Sequence, residues 1–195
     1  KPRHDLYRDL LPRVPALLDG PTGATAVLPD AAQIAAAYGA IPHQQTTYRA
    51  GESPLPRTRS EPLERMLHLV DAAVALRVEA LKAMRASNRP GVEAYERGLD
   101  AVDRELARLD LDAPAALVRK LVREALGEHL AYFRDWARRL GEGNKFSFEG
   151  GADPHVSRSS RSLHQAYAEL MRLSPGETER NRQAFFDHLC ALDFI

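Results

Sequence analysis

The sequence predicts an all-α fold, a single-domain bundle of about five to six helices with long irregular loops. Two patterns predict it. Apolar side chains recur about once per helical turn over several long segments. Asp, Ser, Asn, Gly and Pro bound those segments in positions that start and stop helices. A third observation supports the class: only Lys145-Phe-Ser-Phe-Glu149 alternates with the period of a strand, and no fixed-period repeat occurs.

The elements follow in order. Residues His4 to Leu18 carry Leu6, Leu10, Leu11, Val14, Leu17 and Leu18 at helical spacing. Pro12 and Pro15 interrupt them, each removing an amide donor and crowding the turn before it. A short helix and a kinked second turn are expected. Asp30 to Gly39 reads as a short helix with an aspartate cap and a terminal glycine. Ala40 to Arg59 has no period and contains Pro42, Gly51, Pro54 and Pro56, so it is expected as a connector draped over the surface. A binding arm is its functional alternative.

Ser60 is expected to cap the strongest helix, with Glu61 and Pro62 in its first turn and Leu63, Met66, Leu67, Val70, Val74 and Leu81 as its stripe. Asn88-Arg-Pro-Gly91 ends it. A further helix runs from about Gly91 to Leu109. Asp112 caps the next, whose stripe is Leu117, Val118, Leu121, Val122, Ala125, Phe133, Trp136 and Leu140 before the stop at Gly141-Glu-Gly-Asn144. Lys145 to Glu149 forms a small ribbon or pins a loop, and Gly150 to Arg158 is loop. A helix begins at Ser159 with Leu163, Tyr167 and Leu170. Ser174-Pro-Gly-Glu177 reads as a capping box into a last helix with Phe185, Leu189 and Leu192. The apolar ending Ala191 to Ile195 is expected to dock on the core. The domain expectation is 1–195 as one unit, with 1–59 an irregular part and 60–195 the main bundle.

Composition narrows function. Of 195 residues, 44% are hydrophobic and 28% charged, which suits a packed domain and not a disordered chain. The net charge of +0 comes from 27 basic and 27 acidic residues, interleaved, so a nucleic-acid partner is not expected. The basic residues are mostly Arg, read as compositional bias. Cys190 is the only cysteine, which excludes an intrachain disulfide and a cysteine-built metal site. No run of ~18 apolar residues exists for a transmembrane segment. The expected location is soluble, cytoplasmic or periplasmic. Lys1 opens the sequence with neither methionine nor apolar leader, so a removed leader or a trimmed chain is expected.

His129 falls near the centre of an apolar stripe, and a buried imidazole must bond to something or coordinate something. It is either a core histidine bonded to a carbonyl or carboxylate, or a ligand of haem or of a metal. Trp136 and Arg139, with Tyr132, Phe133 and Arg138 beside them, would wall and anchor a planar cofactor carrying carboxylates. His129, His164 and His188 could converge on a divalent metal if their helices pack antiparallel. Glu64, His68 and Asp71 share one helix flank, read as solvated because the Glu-x-x-His pair of di-iron bundles is missing. Glu124 and Glu128, one turn apart, do not supply it.

The remaining motifs are weaker. Cys190 lies near a helix C-terminus, which disfavours a thiolate. Ser157, Ser159, Ser160 and Ser162 belong to no nucleophile elbow. Gly141-Glu-Gly-Asn-Lys-Phe146 lacks the third glycine and the preceding strand of a dinucleotide fingerprint. Gly150-Gly151 gives a loop freedom to turn or to act as a lid.

The leading functional reading is therefore a helical binding or interaction module without catalytic activity, whose partner is a protein or a small-molecule ligand. The alternative is a haem- or metal-binding helical protein centred on His129, with oxidoreductase chemistry as one use of the cofactor. A membrane-surface or assembly role for Phe194 and Ile195 is a third expectation.

Overall fold

The structure, a computed structural model, describes residues 28–41 and 46–193. The helix expected over 4–18, residues 42–45 of the connector, and Phe194 and Ile195 lie outside the described residues. Among the described residues there are six α-helices and no strand. They are α1 (Ala31–Ala40), α2 (Arg57–Arg85), α3 (Arg89–Arg108), α4 (Ala113–Gly141), α5 (Pro154–Leu173) and α6 (Glu179–Leu192). Short 3-10 turns occupy Ala50–Glu52 and Gly150–Ala152. None of the described helices is long and apolar enough to cross a membrane.

Helix α2 is the axle of the bundle, packed against α1, α3, α4 and α6. Its residues from Leu69 through Ala75 are buried without a break. A helix buried on all sides needs apolar residues on all sides, and Ala72, Ala73 and Ala75 supply them without bulk. Helix α3 crosses α2 closely at two glycines. A Cβ on Gly98 would lie 2.5 Å from Leu76, and one on Gly91 would lie 2.7 Å from Ala83. Numbers rise on one helix as they fall on the other, so the pair is antiparallel. Ion pairs show the same for α3 and α4, where Arg123 meets Asp103 and Arg134 meets Glu96. Helix α5 covers α4, with Arg158 on Glu128 and His155 near Asp135.

The caps explain where sequence and structure agree. Asp30 accepts the Gln33 amide at 2.8 Å, and the Gln33 side chain accepts the Asp30 amide at 2.8 Å, a reciprocal box. Asp112 caps α4 as expected, accepting from the Ala115 amide.

Three starts differ. Helix α2 begins at Arg57 behind Pro56, and Ser60 is fully buried inside it with no hydrogen-bond partner for its hydroxyl among the described residues. The extra turn is held from outside, because Arg59 donates to Asp112 Oδ2 at 2.7 Å. Helix α5 begins at Pro154, not Ser159. Asp153 accepts from the amides of His155 and Val156, and proline suits the first helical position. Helix α6 is capped by Thr178, which accepts the Asn181 amide, while Glu177 turns inward and is 6% exposed.

The described part of the connector before α2 divides in two: Gly51, Glu52, Pro54 and Pro56 lie exposed as expected, whereas its first residues turn inward. Thr47, Tyr48 and Ala50 are buried, and the segment is threaded between α2 and α6. Lys145 to Glu149 forms no strand; Phe146 pins it by packing edge-on to Trp136 at 4.9 Å.

Two helices end in the same way with different residues. In α4, the Gly143 amide bonds Leu140 O and the Asn144 amide bonds Arg139 O, with Gly143 at φ 85°. In α2, the Ser87 amide bonds Met84 O and the Asn88 amide bonds Ala83 O, with Ser87 at φ 52°. Both are Schellman ends, but a side chain in the left-handed region costs about 1–2 kcal/mol. Glycine removes that cost and adds unfolded-chain entropy of roughly 0.5–1 kcal/mol. Ser87→Gly is therefore expected to stabilise the fold by about 0.5–1 kcal/mol in urea unfolding. A loss of stability would show that Ser87 is not strained there.

Candidate functional site

The flank bearing Glu64, His68 and Asp71 faces the interior, not solvent. Asp71 is 1% exposed, and its Oδ1 accepts from the Tyr38 hydroxyl at 2.5 Å and from His188 Nδ1 at 2.6 Å. The other ring nitrogen of His188 accepts the Tyr48 amide at 3.3 Å. An amide can only donate, so His188 carries its proton on Nδ1. Three elements are thereby tied to α2: α1 through Tyr38, α6 through His188, and the threaded segment through Tyr48.

The seam continues along α6. Asn181 donates to Arg49 O and accepts the Arg49 amide, both at 3.0 Å. Glu177 accepts from the hydroxyls of Tyr48 and Ser53. The Tyr48 ring stacks on Phe185 at 5.2 Å. Burial and the nearby Glu177 push the Tyr48 phenol up, so it stays a donor. Glu64 accepts the Ala50 amide.

His68 is the exception in this seam. The residue is half-buried, yet both ring nitrogens are out of contact with solvent and neither has a hydrogen-bond partner among the described residues. Burial pulls its ionisation below the ordinary histidine range, Asp71 opposes that pull, and His188 adds to it.

The histidines singled out from sequence lie at separate places. His129 is fully buried, and its Nε2 lies 2.7 Å from Ser159 Oγ on α5. Burial drives its ionisation well below the usual range, and the charge of Arg77 adds to the effect. His188 belongs to Asp71, and His164 is an exposed side chain with Nε2 3.9 Å from Asp193 Oδ2. Among the described residues no group of three or more His, Cys, Asp or Glu is placed to hold a metal ion. Trp136 is 5% exposed, with Arg139 over its ring at 4.9 Å and Phe146 at its edge. Burial and two nearby carboxylates push the Cys190 thiol up, against thiolate chemistry. Glu128 holds α5 to α4 through Arg158 and His155, and those bonds keep its carboxyl below the ordinary range.

Sequence reasoning missed a second buried tie and the surface built on it. Arg77 is 5% exposed; it donates to the carbonyl of Ala191 at 2.6 Å and to that of Asp193. Those carbonyls end α6, where a cation is favoured. Asp193 is thus fixed against α5, and its Oδ2 accepts from Ser160 Oγ at 2.7 Å. The readable signal was a charged residue inside an apolar run: Asp71 after Leu69-Val70, Arg77 after Ala75-Leu76, Asp193 after Ala191-Leu192.

Beside Asp193 lies an open cleft of about 740 Å³ along the outer face of α5. Val156, Ser157, Ser160, Arg161, His164, Gln165 and Ala168 line one side, and Phe148, Gly150 and Gly151 the other. These α5 positions follow the spacing of one helix face. Phe148 is 45% exposed there, at the rim.

The depressed ionisation of His129 sets a pH dependence. The unfolded chain takes up a proton near pH 6.5 while the folded one does not. Stability is therefore complete above about pH 6.5 and falls on acidification, by up to about 1.4 kcal/mol per pH unit for this group. His129→Gln should flatten that slope in urea unfolding between about pH 5 and pH 8. An unchanged slope would assign the loss to other groups.

Compared with family models, with curated proteins and with solved structures, the chain matches none of them.

Proposed function

We propose that this chain is a helical ligand-binding module that takes a small molecule in the cleft along α5. The observation that carries the reading is the cleft itself. Its volume of about 740 Å³ falls within the range of small-molecule sites, roughly 300–1,000 Å³. Its lining combines apolar wall (Phe148, Val156, Ala168) with six polar side chains (Ser157, Ser160, Arg161, His164, Gln165, Asp193). Such a mixture gives affinity through buried apolar area and orientation through hydrogen bonds. Asp193, held by Ser160 and by the Arg77 contacts to its backbone, keeps the floor in place before a ligand arrives. A preformed floor lowers the ordering cost of binding.

Ala168→Trp tests the reading. Ala168 is exposed on the cleft wall, so an indole there occupies ligand space without entering the core. A small-molecule library screened by thermal shift should yield ligands of the native chain that the variant no longer binds. Ligands bound equally by both proteins would place the site elsewhere.

A second reading, a cofactor ligand, is favoured by His68. Its two buried nitrogens lack partners, a condition native proteins seldom leave without a water, an ion or a ligand. His129, by contrast, already has Ser159 at hydrogen-bond distance. Titration with haemin should give binding that His68→Ala abolishes and His129→Ala leaves intact. Binding that survives His68→Ala would end this reading.

A further inference from the structure

A second concavity opens from the same place. A groove of about 260 Å³ runs between α5 and α6, lined by Leu163, Tyr167, Phe186, Leu189 and Cys190. It shares His164 and Asp193 with the larger cleft, so the two concavities adjoin at those side chains. The chemistry changes at the junction. The large cleft carries hydroxyls, an amide and a guanidinium, whereas the groove is apolar apart from its shared end. Phe186 is 45% exposed and meets Tyr167 edge-on at 5.8 Å, so an aromatic wall faces outward.

The junction itself carries His164 and Asp193, and Arg161 lies in the cleft beside it. Arg161 lines the cleft and forms no ion pair among the described residues. The carboxylate in the lining, Asp193, is 3% exposed and already accepts from Ser160, while Arg77 lies behind it on its backbone carbonyl. A ligand therefore meets one exposed cation and a largely covered anion. Along α5 the cleft runs from Val156 to Ala168, about 18 Å at the helical rise. That length suits an elongated molecule.

We infer that the ligand of this site is an anionic amphiphile, its carboxylate or similar head on Arg161 in the wide cleft and its apolar chain in the groove between α5 and α6. This rests on the reading of the α5 cleft as the binding site. Arg161 and Gln165 supply donors to the head, and Leu163, Tyr167 and Phe186 remove the chain from water. The groove selects for chain, and the guanidinium selects for charge.

Calorimetry on the full chain separates these claims, using dodecanoate, butyrate and dodecyltrimethylammonium below their micelle-forming concentrations. Dodecanoate is expected to bind, butyrate at least about tenfold more weakly because it leaves the groove empty. The cationic chain should bind at least about tenfold more weakly than dodecanoate, because it meets Arg161. Arg161→Gln should weaken dodecanoate about tenfold, the scale of one charged hydrogen bond. Phe186→Ser should weaken dodecanoate about fivefold and leave butyrate unchanged. Both positions are exposed, and an unchanged helical dichroism spectrum verifies folding. Equal binding of the cationic chain overturns the anionic head, and equal binding of butyrate overturns the chain in the groove. If neither carboxylate binds while other small molecules are lost in Ala168→Trp, the amphiphile fails and the cleft remains. Dodecanoate bound equally by native chain and Ala168→Trp overturns both.

Discussion

The buried carboxylate of Asp71 is the constraint from which the rest of the arrangement follows. It sits in the middle of the most buried helix and accepts from a phenol on α1 and an imidazole on α6. A carboxylate taken out of water is costly unless its acceptor capacity is met. Here the donors come from elements more than thirty and more than a hundred residues away. The bonds are therefore satisfied only when α1, α2 and α6 are assembled together. Apolar contacts alone would tolerate sliding of one helix on another, since they have no direction. The polar seam adds the direction, and through His188 it also fixes the segment that carries Tyr48.

Arg77 repeats this logic two turns further along α2. Its guanidinium reaches the last carbonyls of α6, groups that every helix leaves without an internal partner. A cation so deeply buried is costly as well, and burial pulls its ionisation down from the ordinary arginine value. The carbonyls and the negative end of the α6 dipole offset that cost. Asp193 comes to rest against Ser160 as a result, so the floor of the α5 cleft is an outward extension of a buried contact. The surface site and the interior are in this sense one structure.

The exposed ion pairs do a different job. Arg123 grips Asp103 through two hydrogen bonds, and Arg134 meets Glu96, all on the outer seam of α3 and α4. Exposed pairs contribute little to stability individually. Their geometry nonetheless agrees with the antiparallel register that Gly91 and Gly98 set on the other face of α3, where backbone rather than charge decides how near the helices come.

Periodicity along the chain determined the fold class, the stripe of α4 apart from Leu117, which is 40% exposed, and the caps at Asp30 and Asp112, because each of these is local. A stripe repeats every turn, and a cap bonds within three residues. It also singled out His129 and placed it in the core, since an imidazole surrounded by Val122, Ala125 and Phe133 on one face has nowhere else to go. Tertiary structure decided what those side chains meet. Ser159, expected at a helix start, became the partner of His129 only because α5 begins one turn earlier, at Asp153-Pro154. The flank of Glu64, His68 and Asp71 reads as solvated in one dimension, because three polar residues on one helix look like an outer face until another helix covers them. The cleft was invisible for the same reason: Phe148, Arg161 and Asp193 lie on a loop, a helix and a helix end, and only packing brings them to one surface. Local bonding is written in neighbouring residues, whereas a site is made by residues that are neighbours only after the chain has folded.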